Sequence, residues 1–142
     1  NTLLESYRKS RTEGFGKEVK RRIMLGNFVL SSGYYDAYFK KAQQVRKLLS
    51  NKLQTILEAY DFVILPVSPT PPWKIKEGNL TAIQVYLSDI FTVLANLAAV
   101  PAISIPMDSH KESNLPIGIQ FMAAKHKDEE ILCFSHQFTC NK

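Results

Sequence analysis

Apolar and polar positions along this chain follow two rhythms, and each predicts its own kind of element. From Lys17 to about Leu30, Val19, Ile23, Gly26 and Leu30 recur at steps of four, three and four, which predicts a helix with one apolar stripe. On that wheel Arg22 lies about 60° from the stripe's centre, Lys20 about 100° and Arg21 about 160°, so Arg22 is the cation aimed inward. A longer helix is expected from about Tyr34 to Tyr60, about 40 Å at 1.5 Å per residue. Its stripe is Tyr38, Ala42, Val45, Leu49, Leu53, Ile56 and Tyr60, with Lys40, Lys41, Lys47 and Lys52 mostly outside it. Ahead of both, residues 1–16 read as a short helical lead-in closed by a loop from Arg11 to Gly16, whose two glycines mark a turn.

The second rhythm is that of short apolar runs bounded by turn residues, which suits strands of a buried sheet. Phe62 to Leu65, Ala102 to Pro106 and Pro116 to Met122 are the three candidates. The run from Pro66 to Pro72 stops the first and forms a loop that continues through Trp73 to Glu77, with Gly78-Asn79 as a turn. Residues 80–88 and 91–99 are helical by composition, separated or kinked around Asp89. A polar hinge at Asp108 to Asn114 divides the last two strands. Acids at Asp128 to Glu130 favour a helix start there, and Ile131, Phe134 and Phe138 are its inward positions. Strands alternating with helices predict an α/β fold with a partial mixed sheet and flanking helices. Three strands are too few for a sheet covered on both faces, so the sheet is expected to continue in further chain. A start at Asn1 rather than methionine likewise suits a fragment or a processed product.

One charge stands out against this background. Between Glu77 and Asp108 lie thirty residues in which Asp89 is the only charged one. A carboxylate in apolar sequence is costly to desolvate unless a cation or a donor meets it, and the inward Arg22 is the natural partner. Two readings stand side by side: a structural salt bridge between Arg22 and Asp89, or a zwitterion held at both ends. In the second, the guanidinium fork takes an α-carboxylate and the carboxylate takes an α-ammonium.

Composition narrows the field. With 45% hydrophobic and 22% charged residues, the chain has the composition of a soluble globular protein. Its net charge of +5 is uneven: residues 1–52 hold twelve Lys/Arg against four Asp/Glu, and residues 53–142 hold six against nine. A basic half raises nucleic acid or an acidic partner, but these charges come at helical spacing without aromatic interleaving, as on a solvated helix face. Asp89, Asn96 and Pro101 interrupt the apolar stretch from Val85 to Pro106, which rules out a membrane span there. The polar start NTLLESYRKSR has no apolar core of a signal peptide. Two cysteines make no disulfide framework and point to a reducing compartment. Cys133, His136 and Cys140 share a helix face, yet three soft ligands fall short of the four a structural zinc requires, so no metal is expected. Ser31-Ser32-Gly33 reads as a helix cap and not as a nucleophile.

Several runs carry a family resemblance. RTEGFGKEVKRRIMLGNFVLSSGYYDAY over 11–38, ILPVSPTP over 64–71, YLSDIFT over 86–92, NLAAVPAISIP over 96–106, LPIGIQ over 115–120 and DEEI over 128–131 resemble, in this order, the C-terminal part of the amidase signature family. The first run is similar to the A subunits of tRNA-dependent aspartyl/glutamyl amidotransferases within it. The resemblance implies that residues 1–142 are the C-terminal portion of an amidase signature domain. It implies an enzyme that hydrolyses glutamine and passes ammonia to sister subunits B and C, for amidation of mischarged glutamyl- or aspartyl-tRNA. No cofactor is expected on this chain, since ATP and Mg belong to the sister subunit. The setting would be cytoplasmic or an organelle matrix. In the family a Ser–cis-Ser–Lys triad does the chemistry, and neither its Gly/Ser-rich loop nor the strand with the lysine is among these 142 residues. No catalytic residue is therefore assigned, and the chain alone is expected to be inactive. Arg22 and Asp89 match the family's glutamine-binding positions. Leu94, Ala99 and Met107 depart from its pattern, where proline, glycine and cysteine are common. Two other readings remain: an amidase-signature hydrolase of some other amide, or a non-catalytic basic α/β module that binds RNA or protein.

Overall fold

The computed structural model describes residues 2–73 and 81–140, apart from the side chain of Ala82. It divides into two compact units, residues 1–45 and 46–142. The first is helical throughout. Thr2 and Glu5 form a capping box at the start of α1 (Leu3–Gly14), the Thr2 amide donating to the Glu5 carboxylate at 2.8 Å. The helix runs further than the sequence suggested, because Arg11, Thr12 and Glu13 are not helix breakers and the Thr12 hydroxyl turns back onto the Arg8 carbonyl at 2.7 Å. Only Phe15 and Gly16 remain as a link to α2 (Lys17–Leu30), whose span is the expected one.

That second helix ends as a cap would end it. The Ser31 amide and hydroxyl both donate to the Phe28 carbonyl, at 3.1 and 2.6 Å, and Gly33 takes a positive φ of 87°. The expected long helix is present in two parts, a wide π-helical turn over Tyr35–Lys40 followed by α3 (Lys41–Ala59). Phe28, Tyr34 and Tyr38 cluster across this turn, with ring centroids 4.2 to 6.2 Å apart. The predicted stripe of α2 is not buried: Val19, Ile23 and Leu30 are about half exposed, and only Gly26 and Val29 are partly covered. Among the described residues of this unit, no other layer packs over that face.

The second unit holds the core. Its sheet has the order β1-β3-β2, where β1 is Phe62–Pro66, β2 is Ala102–Ser109 and β3 is Pro116–Ala123. The α/β character is as expected, and both pairings among the described strands are antiparallel. Prolines sit where a ladder tolerates them: Pro66 ends an outer strand, and Pro106 lies at a bulge before Asp108. That bulge lets β2 continue three residues past its predicted end.

Period-two alternation on central β3 sends side chains to two layers. Phe121 and Ala123 face α6 (Asp128–Cys140), where Ile131, Phe134 and Phe138 close over them as predicted. The Phe121 ring meets Phe134 edge-on at 5.2 Å, and Phe134 stacks on Phe62 at 4.5 Å. On the opposite layer Met122 packs with Leu53 and Leu57 of α3 and with Ala95 and Ala98 of α5 (Ile90–Ala98). Leu57, not Ile56, continues the stripe after Leu53, a step of four that keeps it over the sheet. The Gly78-Asn79 turn and the loop from Lys74 to Glu77 lie outside the described residues.

Candidate functional site

The apolar stretch before β2 breaks where expected. Helix α4 (Ala82–Ser88) opens with a Thr81–Gln84 capping box, and α5 starts one residue after Asp89. At the joint Asp89 adopts φ −97° and ψ 6°, which ends one helix and begins the next. Its carbonyl accepts from the Val93 amide at 3.0 Å and from the Thr92 hydroxyl at 3.1 Å, so the backbone is tied into α5. Its carboxylate is not. A helix-preceding aspartate ordinarily caps an amide of the first turn, whereas Asp89 makes no capping bond. Its side-chain contact among the described residues is the neighbouring Ser88 hydroxyl, at 3.4 Å.

This carboxylate stands on the wall of a cleft of about 970 Å³. Ser88, Asp89 and Thr92 form one side, the proline-rich run from Pro66 to Trp73 another, and β2 with the start of β3 the floor. The walls are mostly Ile, Leu, Val and Pro, with a few convergent polar groups, the usual make-up of a small-molecule site. Gly118 permits the close approach that shapes the floor, since a Cβ there would meet Val67 Cγ2 at 2.9 Å.

The far end of α5 is clamped. Ala99 takes the left-handed conformation, φ 55° and ψ 54°, which explains why glycine suits this position in the family pattern. Arg46 Nε donates to the Leu97 carbonyl at 3.0 Å and Ser50 Oγ to the Ala98 carbonyl at 3.3 Å, satisfying two C-terminal acceptors. Neither residue stood out in the sequence; both were part of a basic, polar helix face.

Arg22 belongs to the first unit and Asp89 to the second. Within α2, Arg22 pairs with Glu18, Nε to carboxylate at 3.1 Å, and its side chain is 65% exposed. Asp89 is exposed too, so its carboxylate does not carry the desolvation cost that its sequence setting implied. Ser31, in the cap after α2, bonds back to that helix, as a cap requires. Cys133 and Cys140 are exposed free thiols, and Cys140 Sγ approaches His136 Nε2 at 3.6 Å. Among the described residues no three His, Cys, Asp or Glu side chains gather as a metal site would need, and no helix is long and apolar enough to cross a membrane.

Comparison with known proteins adds the following. The Amidase family profile matches residues 1–132. The A subunit of the glutamyl-tRNA(Gln) amidotransferase of Thermodesulfovibrio yellowstonii is 49% identical over 136 residues, covering 96% of this chain and 28% of that protein. Its namesake from Bacillus thuringiensis is 52% identical over 129 residues, covering 91% and 26%. The crystal structure of the glutamyl-tRNA(Gln) amidotransferase A subunit from Thermotoga maritima superposes with a TM-score of 0.61 at 45% identity, over 88% of this chain and 27% of that one. A crystal structure of an amidase, 23% identical with a TM-score of 0.70, shares the fold over 96% of this chain and 31% of its own. The chain thus spans about a quarter of the length of the curated relatives it matches.

Proposed function

This chain belongs to the Amidase family, and from that premise we propose that it is the C-terminal part of the glutamine-hydrolysing A subunit of a tRNA-dependent amidotransferase. Its role is to hold the substrate glutamine. Identity near 50% to proteins of that name supports the assignment. The observation that carries the binding role is Asp89: a carboxylate left out of its own helix cap, on the wall of a largely apolar cleft. Such a group attracts an ammonium, and a charge-assisted hydrogen bond is among the stronger contacts available. Arg22, which resembles the family's other glutamine-binding position, would offer its guanidinium fork to the α-carboxylate. Glutamine would be read at both charged poles, leaving its side-chain amide for attack by a nucleophile supplied outside these residues. The ammonia would then pass to sister subunits, B and C, where ATP and Mg activate the tRNA-borne carboxylate; the complex would work in the cytoplasm or an organelle matrix. By itself this stretch would bind and not attack, so the purified 142-residue chain is expected to release no ammonia from glutamine. Saturable release would overturn that.

The deciding experiment is paired. In the full-length protein within its complex, Arg22→Lys keeps the charge but loses the fork, and Asp89→Asn keeps the size but loses the anion. Each is expected to raise the KM for glutamine about ten- to a hundredfold, the equivalent of about 1.5–3 kcal/mol for a charge-assisted contact. Amidation driven by free ammonia bypasses the pocket and is expected to be nearly unchanged. A plain salt bridge gives another pattern, both activities falling together with the melting temperature, and that result would refute the binding assignment.

A further inference from the structure

Gln120 is a polar residue in a place that selects against one. It sits at the middle of β3, the central strand, between Leu65 of β1 and Ser104 of β2, and is only 3% exposed. Its neighbours Phe121 and Met122 are fully buried, so the strand is firmly packed there. By alternation Gln120 shares its face with Gly118 and Met122. Gly118 floors the cleft and Met122 lies in the core with α3 and α5, which puts Gln120 at the boundary between the two.

The side chain reaches out of the sheet. Its Nε2 donates to the carbonyl of Phe91 at 3.2 Å, a residue 29 positions earlier in the chain and in the first turn of α5. Phe91 lies between the two residues of α5's start that line the cleft, Asp89 and Thr92. A carbonyl inside a helix already accepts from the amide four residues on, so the helix does not need this bond to form. What the bond adds is a fixed distance between the central strand and the turn that carries Asp89.

We propose that Gln120 is a positioning residue for the binding cleft: by tying β3 to the first turn of α5, it holds the Asp89 carboxylate over the floor at Gly118, where it meets the ammonium of an amino-acid substrate. This inference rests on the reading of Asp89 as the ammonium contact. It adds a specificity role for a residue that touches no substrate. A shift of the α5 turn weakens the contact at one pole of the zwitterion and leaves the reacting amide to other groups, so the effect falls on KM and not on kcat.

The test uses the full-length protein in its complex, with glutamine as the probe. Gln120→Met keeps the volume and removes the donor. It is expected to raise the KM for glutamine about three- to tenfold, the loss of one neutral hydrogen bond's worth of positioning, with kcat and ammonia-driven amidation little changed. Added to Asp89→Asn, it is expected to raise KM no further, because the contact it positions is already gone. If Asp89→Asn raises KM and Gln120→Met does not, Gln120 has no such role while the Asp89 reading stands. Full additivity of the two substitutions would also overturn the proposal. If Asp89→Asn itself leaves KM unchanged, the Asp89 reading fails and this inference goes with it. Equal losses in glutamine- and ammonia-driven activity, with a lower melting temperature, would make Gln120 a merely structural residue. Should Gln120→Met not fold, Gln120→Asn, whose amide stops one methylene short of Phe91, is read by the same criteria.

Discussion

The described residues of 2–45 and of 46–140 both include amphipathic helices, yet the two units are held by different forces. In the first unit no described residue is buried. Its order comes from near neighbours: a capping box, ion pairs from Glu18 to Arg21 and Arg22 and from Asp36 to Lys40, and a cluster of tyrosine and phenylalanine rings. In the second, Phe121, Met122, Ala123, Ile131, Leu53 and Leu57 lie within two layers that sandwich β3. The comparison teaches that an apolar stripe states only what a helix is able to bury. The stripe of α2 steps by three and four as that of α3 does, and only the latter is packed under other elements of its own unit.

The sharpest way to break this contrast is to truncate one large apolar side chain to alanine in each unit. Phe121→Ala removes a fully buried ring that touches two others, and is expected to cost about 3–5 kcal/mol in urea unfolding of the purified chain. Ile23→Ala, at a side chain 46% exposed, is expected to cost less than about 1 kcal/mol. Equal costs would mean that the first unit hides a core of its own.

A smaller effect of opposite sign refines the picture of the second unit. Ser135 of α6 is buried, and its hydroxyl has no hydrogen-bond partner among the described residues. Burying an unsatisfied hydroxyl is unfavourable, so Ser135→Ala is expected to stabilise by about 1 kcal/mol, read as a higher urea midpoint at unchanged slope. A lower midpoint would show that the hydroxyl has a partner in solution.

The smallest effect belongs to the first unit's surface. Glu18→Gln removes the carboxylate that faces both Arg21 and Arg22, at 3.9 and 3.1 Å, on an exposed helix. Exposed pairs of this kind contribute little, so the expected change is below about 0.5 kcal/mol and disappears in high salt. A loss of several times that size, insensitive to salt, would mean that charge and not helix propensity holds α2 together.

Much of this was readable in the chain before any fold was known. The span of α2, the break at Asp89, the start of each strand and the inward face of α6 all came from periodicity, caps and prolines. These are interactions over four residues or fewer, which a sequence displays directly. The cap at Ser31 belongs to the same class. Helix α1 runs past the expected loop start at Arg11 because three helix-compatible residues precede the first glycine, and β2 runs past Pro106 because a bulge leaves no mark on an alternating pattern.

What the sequence by itself determined is therefore the list of elements and the one carboxylate set apart at a joint between helices. Only the tertiary structure decided that β3 lies between β1 and β2, that Gly118 and Gln120 share the layer facing α5, and that Asp89 opens onto a cleft. The reason is physical. Side chains on a strand alternate every residue, so a one-residue slip in pairing would turn Gln120 away from Phe91 and place Phe121 there instead. That register is set by the sum of packing on both faces of the sheet, involving residues far apart in the chain, and no local stretch contains it.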